Sequence, residues 1–315
     1  MRIYAQEDRR ESLRDGTWRL SHTAVALGGF DAMHIGHQAI IRNVVACARA
    51  QGLTSVVYLF RNQPRSVLTG GTGPSVNTFS RRLAILEELG VDAAVAEWFT
   101  PAYQNIPAQT FVETYLRDWL GAEYVAAGFN YRFGRRGEGD IETLKRLGSE
   151  CGIRVHSMPC VTLGGEPVSS TRIRQLIQRG RMEEGAACLG RIFSVDGKVV
   201  DGNRLGRTMG FPTANLDLPE DHILPRYGVY VSQTRADGHW YPSITNVGDK
   251  PTVTRHYPCI ETHLLGYSGD LYEKEIEIQF WTYLRGITKF SGMEGLKAQL
   301  ELDKQSALRY FEEKK

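Results

Sequence analysis

Two histidines, His34 and His37, follow a run of small residues in the decapeptide Gly28-Gly29-Phe30-Asp31-Ala32-Met33-His34-Ile35-Gly36-His37. An apolar stretch, Thr23 to Leu27, runs into it, and a helical pattern from about His37 to Gln51 runs out. Strand, glycine turn and helix together present free backbone N–H groups to an anion. Residues three apart share a helix face, so both imidazoles can point the same way. A histidine donor at a helix N-terminus is placed to meet a phosphate in transit. Either histidine alone would be an ordinary cap, and Gly28-Gly29 alone an ordinary turn. The conjunction, with Gly36 leaving room for a ligand, points to phosphate chemistry.

Such a turn needs a sheet beneath it. Leu53 to Phe60 reads as a second strand, giving a βαβ unit with parallel strands and a right-handed crossover. Arg61 to Pro74 is a long connection, of a kind that often carries function. Thr78 to Leu89 repeats the helical pattern with Leu83, Leu86 and Leu89 inward and Gly90 as its C-cap. Ala93 to Trp98 reads as a strand. Pro107 opens a helix with Phe111, Val112, Tyr115, Leu116 and Trp119 on one face, a stripe better suited to core than to a cofactor. Further strands are expected at Tyr124–Ala127 and Ile153–Met158, with a helix from Asp140 to Glu150 between them.

Two more stretches of this half could do chemistry. Gly128-Phe129-Asn130-Tyr131-Arg132-Phe133-Gly134-Arg135-Arg136-Gly137 follows a strand, where ligands sit in open α/β sheets. Val168-Ser169-Ser170-Thr171-Arg172-Ile173-Arg174 heads a helix. Its hydroxyls could be simple N-caps, or with an arginine they could clamp a phosphate.

Beyond Gly190 the texture changes. Asp196-Gly197 between extended runs signals a hairpin, and further strands are expected at Tyr227–Gln233, Trp240–Asn246, Cys259–Leu265 and Glu275–Phe280. These make a small antiparallel barrel, closed by a helix from Met293 to Phe311. Gly202 to Asn215 combines glycines, arginines and hydroxyls and reads as a loop, by composition of unknown purpose, and is not a Walker A sequence.

The first decapeptide resembles the HxGH motif of nucleotidyltransferases, with Ala32 where that family usually has glycine. From this motif alone the acceptor could equally be a nicotinate or pantetheine phosphate. Taken with the later stretches, the chain resembles the bacterial bifunctional riboflavin kinase/FMN adenylyltransferases, the prokaryotic FAD synthetases, over about residues 20–312. The matching stretches are Gly128–Gly137 (Tyr131 for Phe), Val168–Arg174, Gly202–Asn215, Asn246–Thr252 (Lys250 for Arg), Glu261–Leu265 and Gly269–Tyr272. The family's Pro-His-Pro is here Asn62-Gln63-Pro64, and no role is carried to it.

The resemblance implies an α/β plus β architecture. Residues 1–184 would be a Rossmann-like nucleotidyltransferase domain with a parallel sheet, and 185–315 a riboflavin kinase-like barrel with a closing helix. It implies His34 and His37 as catalytic groups in the first domain. Gly28, Phe30, Asp31, Gly36, Ser170, Thr171 and Arg174 would bind nucleotide or phosphate, and Asn130 and Phe133 the flavin. In the second domain Glu261 would be the catalytic base, Gly206 and Arg207 would bind phosphate, and Thr213 and Asn215 would hold Mg²⁺ with ATP. Substrates and products would be riboflavin, FMN, FAD and ATP.

The remaining numbers fit that reading. A length of 315 residues suggests two domains, and 42% hydrophobic with 23% charged residues is ordinary globular composition. A net charge of +2 predicts no nucleic-acid partner. Five scattered cysteines without Cys-x-x-Cys spacing argue for reduced thiols, no zinc site and a cytoplasmic setting. The polar N-terminus is not a signal peptide, and no apolar run suffices for a membrane span. A monomer or weak homo-oligomer is expected.

Overall fold

The computed structural model describes residues 1–5, 19–64, 67, 74–200, 210–218, 222–251 and 256–314. The chain divides into two compact units, Met1–Ser170 and Thr171–Lys315.

The first unit is built on six parallel strands in the order β1-β4-β3-β2-β5-β6. These are β1 (Arg2–Ala5), β2 (Thr23–Leu27), β3 (Thr54–Phe60), β4 (Ala93–Glu97), β5 (Ala122–Gly128) and β6 (Arg154–Met158). The central strands are buried on both faces, hence their continuous apolar runs. Along β2, Ala24 and Ala26 face helices α1 (Ile35–Gln51) and α2 (Phe79–Glu88), while Val25 and Leu27 face the opposite layer. That layer holds a π-helix, Phe111–Trp119, and helix α3 (Ile141–Glu150). The apolar face expected after Pro107 is present, with Phe111, Val112 and Leu116 buried. Its hydrogen bonding is wider than α-helical: Leu120 N–H donates to Tyr115 O at 3.0 Å.

The chain passes from β2 to β3 on one side of β2 and later places β5 on the other. The carboxyl ends of β2 and β5 therefore flank a topological switch point, where open α/β sheets bind ligands. Both glycine-rich stretches of this unit leave from there. Strand β1 was not expected from its polar sequence; among the described residues it pairs with β4 alone, at the sheet's edge.

A small hairpin, β7 (Thr162–Leu163) and β8 (Glu166–Pro167), precedes helices α4 (Ser170–Gln178) and α5 (Met182–Leu189). Six antiparallel strands then close a barrel in the order β10-β13-β12-β11-β14-β9. They are β9 (Phe193–Val200), β10 (Ala214–Asp217), β11 (Gly228–Ala236), β12 (His239–Pro251), β13 (His256–Leu264) and β14 (Glu275–Arg285). Asp196-Gly197 is not a hairpin: β9 runs straight through it. Gly197 is needed for close approach instead, since a Cβ there would lie 2.5 Å from Asp217 O of β10. The end of the expected Gly202–Asn215 loop is likewise strand, as Ala214 and Asn215 open β10.

Helix α6 (Met293–Glu312) packs Ala307, Tyr310 and Phe311 on Val229, Val231, Ile244 and Leu265. Arg285, ending β14, forks onto the buried Asp303 of α6 at 2.7 and 3.0 Å. The barrel interior is partly polar. Ser232, Ser243, Thr234, Thr262 and Thr245, all fully buried, form a closed ring of hydroxyls with O···O distances of 2.7–3.1 Å. Each hydroxyl has two partners, so each can donate once and accept once. Thr245→Val keeps the shape but leaves Ser232 and Thr262 each short of a partner. It should lower unfolding stability by about 1–3 kcal/mol, measured by denaturant titration.

Candidate active sites

At the end of β2 the backbone bends sharply. Phe30 and Met33 take positive φ, 45° and 48°, which side-chain-bearing residues seldom adopt and which marks strain at functional turns. Ala32 is not at positive φ and is fully buried, so its methyl group meets no backbone penalty there. Gly28 must be glycine because a Cβ would press on the Phe30 ring at 2.9 Å. At Gly36 a Cβ would meet the His34 ring at 3.2 Å.

His34 is the N-cap of α1: its Nδ1 accepts the His37 backbone N–H at 3.1 Å. An accepting Nδ1 carries no proton, so the neutral ring keeps its proton on Nε2. The two imidazoles stack, centroids 3.7 Å apart and 14° from parallel. Phe30 supports His37 edge-on at 5.2 Å. One free N–H of the helix start is thus used internally, and it fixes the first imidazole.

Both rings border a cavity of about 700 Å³ at the switch point. Gly28, Gly36, Asn130, Phe133 and Ser170 also line it. Phe30 and Asp31 do not. Phe30 is fully buried behind the imidazoles, and the Asp31 carboxylate accepts Val76 N–H at 3.1 Å while its carbonyl accepts the Asn77 amide at 2.6 Å. Phe30 thus packs against His37, and Asp31 ties the turn to the segment at Val76 and Asn77. Tyr131 stacks on Phe133 at 5.9 Å, and Phe133 leans on Phe111 at 5.5 Å. Burial pushes the phenols of Tyr131 and Tyr103 up, so both stay protonated. Phe60, Tyr103 and Phe111 were not expected on this wall. Phe60 ends β3, and the carboxyl-end rule applied to every strand would have found it. Phe111 is at once core and wall.

Ser170 opens α4; Thr171 and Arg174 follow on its first turns, Thr171 exposed and Arg174 partly buried. Residues four apart share a helix face, so Ser170 and Arg174 do.

In the barrel, strand register sets a polar rung. Asn215 of β10 pairs with Glu261 of β13, and Glu261 pairs with Asn246 of β12. Directly opposed residues face the same side. Their neighbours Thr245 and Thr262 belong to the interior hydroxyl ring, so this rung faces outward. Asn215 is nevertheless buried. The Cys259 thiol, two residues before Glu261, lies 3.4 Å from Asn215 Oδ1 and 3.7 Å from Glu261 Oε1. Thr213 borders a second cavity, of about 240 Å³, with Pro212, Leu264 and Tyr267. His263 Nδ1–H donates to Pro212 O at 2.8 Å, and burial holds its pKa below the ordinary imidazole value. Gly206, Arg207, Thr252 and the Lys250 side chain lie outside the described residues. Among the described residues no group of three His, Cys, Asp or Glu could hold a metal.

The family model for FAD synthetase matches residues 17–172, and that for riboflavin kinase matches 189–311. The chain is 34% identical to the bifunctional riboflavin kinase/FMN adenylyltransferase of Listeria monocytogenes, covering 93% of this chain and 94% of that one. It is 31% identical to the protein of that name from Bacillus subtilis (92% of each chain) and 33% identical to that from Escherichia coli (91% and 92%). A crystal structure described as a macrolide-efflux protein from Streptococcus pneumoniae superposes with a TM-score of 0.87 at 29% identity, covering 98% of this chain and 99% of that one. Among the described residues here, no helix is long and apolar enough to cross a membrane. With a parallel-sheet unit bearing paired imidazoles, a closed barrel bearing a Glu–Asn rung, and relatives matched nearly end to end, the chain belongs to the bifunctional riboflavin kinase/FMN adenylyltransferases.

Proposed function

We propose that the chain makes FAD from riboflavin in two ATP-dependent steps, one in each half. Residues 185–315 phosphorylate riboflavin to FMN; residues 1–184 transfer an adenylyl group from a second ATP to FMN, releasing pyrophosphate. The observation that carries the second step is the stacked His34–His37 pair on the wall of the switch-point cavity. There the FMN phosphate oxygen attacks the α-phosphorus of ATP, the bond to pyrophosphate breaks, and both imidazoles stabilise charge as it builds. Gly28 and Gly36 let backbone and phosphate approach closely. Ser170, Thr171 and Arg174 hold the departing pyrophosphate, while Asn130 and Phe133 hold the flavin.

In the barrel, Glu261 accepts the proton of the riboflavin 5′-hydroxyl as its oxygen attacks the γ-phosphorus. Gly206 and Arg207 bind phosphate. Thr213 and Asn215 offer neutral oxygens, which fit Mg²⁺ when phosphate oxygens and water complete its shell. The ion would supply neutralisation of the triphosphate charge. The enzyme acts in the cytoplasm, where its five unbridged cysteines stay reduced, as a monomer or weak homo-oligomer.

Incubating the purified chain with riboflavin, ATP and Mg²⁺ and separating the flavins by chromatography tests this. FMN should rise first and FAD follow, with pyrophosphate formed one-to-one with FAD. FMN accumulating without FAD, or no turnover of supplied FMN, would refute the assignment of the first unit.

A further inference from the structure

The strained turn ahead of His34 is held from inside the helix it starts. Gln38, 6% exposed, reaches back one turn, and its Nε2 donates to Met33 O at 2.9 Å. Its Oε1 accepts from Arg42 Nη2 at 3.1 Å. The arginine offers only donors, so it fixes which way the amide points: oxygen to Arg42, nitrogen to Met33. Met33 is the residue at φ 48°, and its carbonyl begins the peptide that leads into His34. The backbone of His34 is held by the same residue, since Gln38 N–H donates to His34 O at 2.9 Å.

We propose that Gln38 is a positioning residue for adenylyl transfer. Its side-chain N–H holds Met33 in the left-handed conformation and thereby sets His34 where its ring can cap α1 and stack on His37. This rests on the reading of His34 and His37 as the catalytic pair. Gln38 itself does not line the cavity, whereas His34, Gly36, His37 and Ile40 of this segment do. Its effect must pass through the imidazoles. Preorganised donors lose much of their value when displaced by even an ångström.

Two substitutions separate positioning from packing. Gln38→Glu keeps the shape and the acceptor for Arg42 but removes the donor to Met33 O. Gln38→Met keeps volume and removes both bonds. Both variants should lower kcat for FAD formation from FMN by roughly 10- to 100-fold, with KM for FMN and ATP changed less than about 3-fold. Riboflavin phosphorylation should stay at the unmodified rate. In ¹⁵N-resolved NMR spectra the His37 amide should lose the shift conferred by its bond to His34 Nδ1. If Gln38→Glu keeps full kcat, or if the His37 amide is unmoved, the inference is wrong. If KM and kcat shift together with a lowered unfolding midpoint, Gln38 is only a packing residue and the inference is equally wrong. Unmodified protein that forms no FAD would instead defeat the underlying functional reading, and the amide signal would still report whether Gln38 sets the turn.

Discussion

His37→Ala should lower the rate of FMN adenylylation by about 10²–10³-fold, the usual loss when one preorganised donor to a developing charge is removed. It should leave riboflavin phosphorylation at the unmodified rate. His37 is the cleaner of the two imidazoles to remove. His34 caps α1 through Nδ1, so its loss would also cost about 0.5–2 kcal/mol of helix stability. In the His34 cap it is the His37 backbone N–H that donates, so the bond survives truncation of the His37 side chain. Its ring stands between His34 at 3.7 Å and Phe30 at 5.2 Å, partly exposed to the cavity. Truncation therefore opens space toward the substrate rather than inside the core. Separate assays from riboflavin and from FMN on the same preparation distinguish the outcomes. Loss of FMN formation as well, in a variant with an unchanged unfolding midpoint, would contradict a barrel that works without the imidazoles.

What could be read from the sequence followed the range of the forces involved. The β2–α1 turn was legible because its signals are local: an apolar strand, small residues, a helix start and two histidines within one short segment. The barrel's existence was legible for the same reason. Asp196-Gly197 was misread because a hairpin signal is only a local preference. Closing the barrel requires β9 to pair along its length with β14 and β10, and the glycine serves contact with Asp217 O instead. Strand β1 was missed because an edge strand needs no apolar pattern of its own; its partner β4 supplies the pairing. Phe30 and Asp31 illustrate a different limit. A motif marks which residues matter together, but not that Phe30 packs against His37 or that Asp31 ties the turn to Val76 and Asn77. Positive φ at Phe30 and Met33, and the Gln38 bond to Met33 O, have no signature in one sequence. The cavity wall formed by Phe60 and Tyr103 depends on strand order, which single-sequence periodicity does not encode.

The complementary substitution, Glu261→Ala, should lower FMN formation from riboflavin by about 10²–10⁴-fold, the range for removing a general base. FAD formation from supplied FMN should be unaffected. The register explains why the loss should be chemical rather than structural. Glu261 faces outward from β13, between Asn215 and Asn246 on the flanking strands, while its neighbour Thr262 faces inward and closes the hydroxyl ring with Thr234 and Thr245. The strand is therefore held through Thr262, and removing the carboxylate leaves that support intact. Glu261→Gln is the sharper probe, because it keeps size and an acceptor oxygen but cannot take the proton at neutral pH. It should be nearly as slow as alanine, with KM for riboflavin little changed. If the glutamine variant phosphorylates riboflavin at close to the unmodified rate, proton acceptance at Glu261 is not part of the reaction. The rung of Asn215, Glu261 and Asn246 would then serve only to place the substrates.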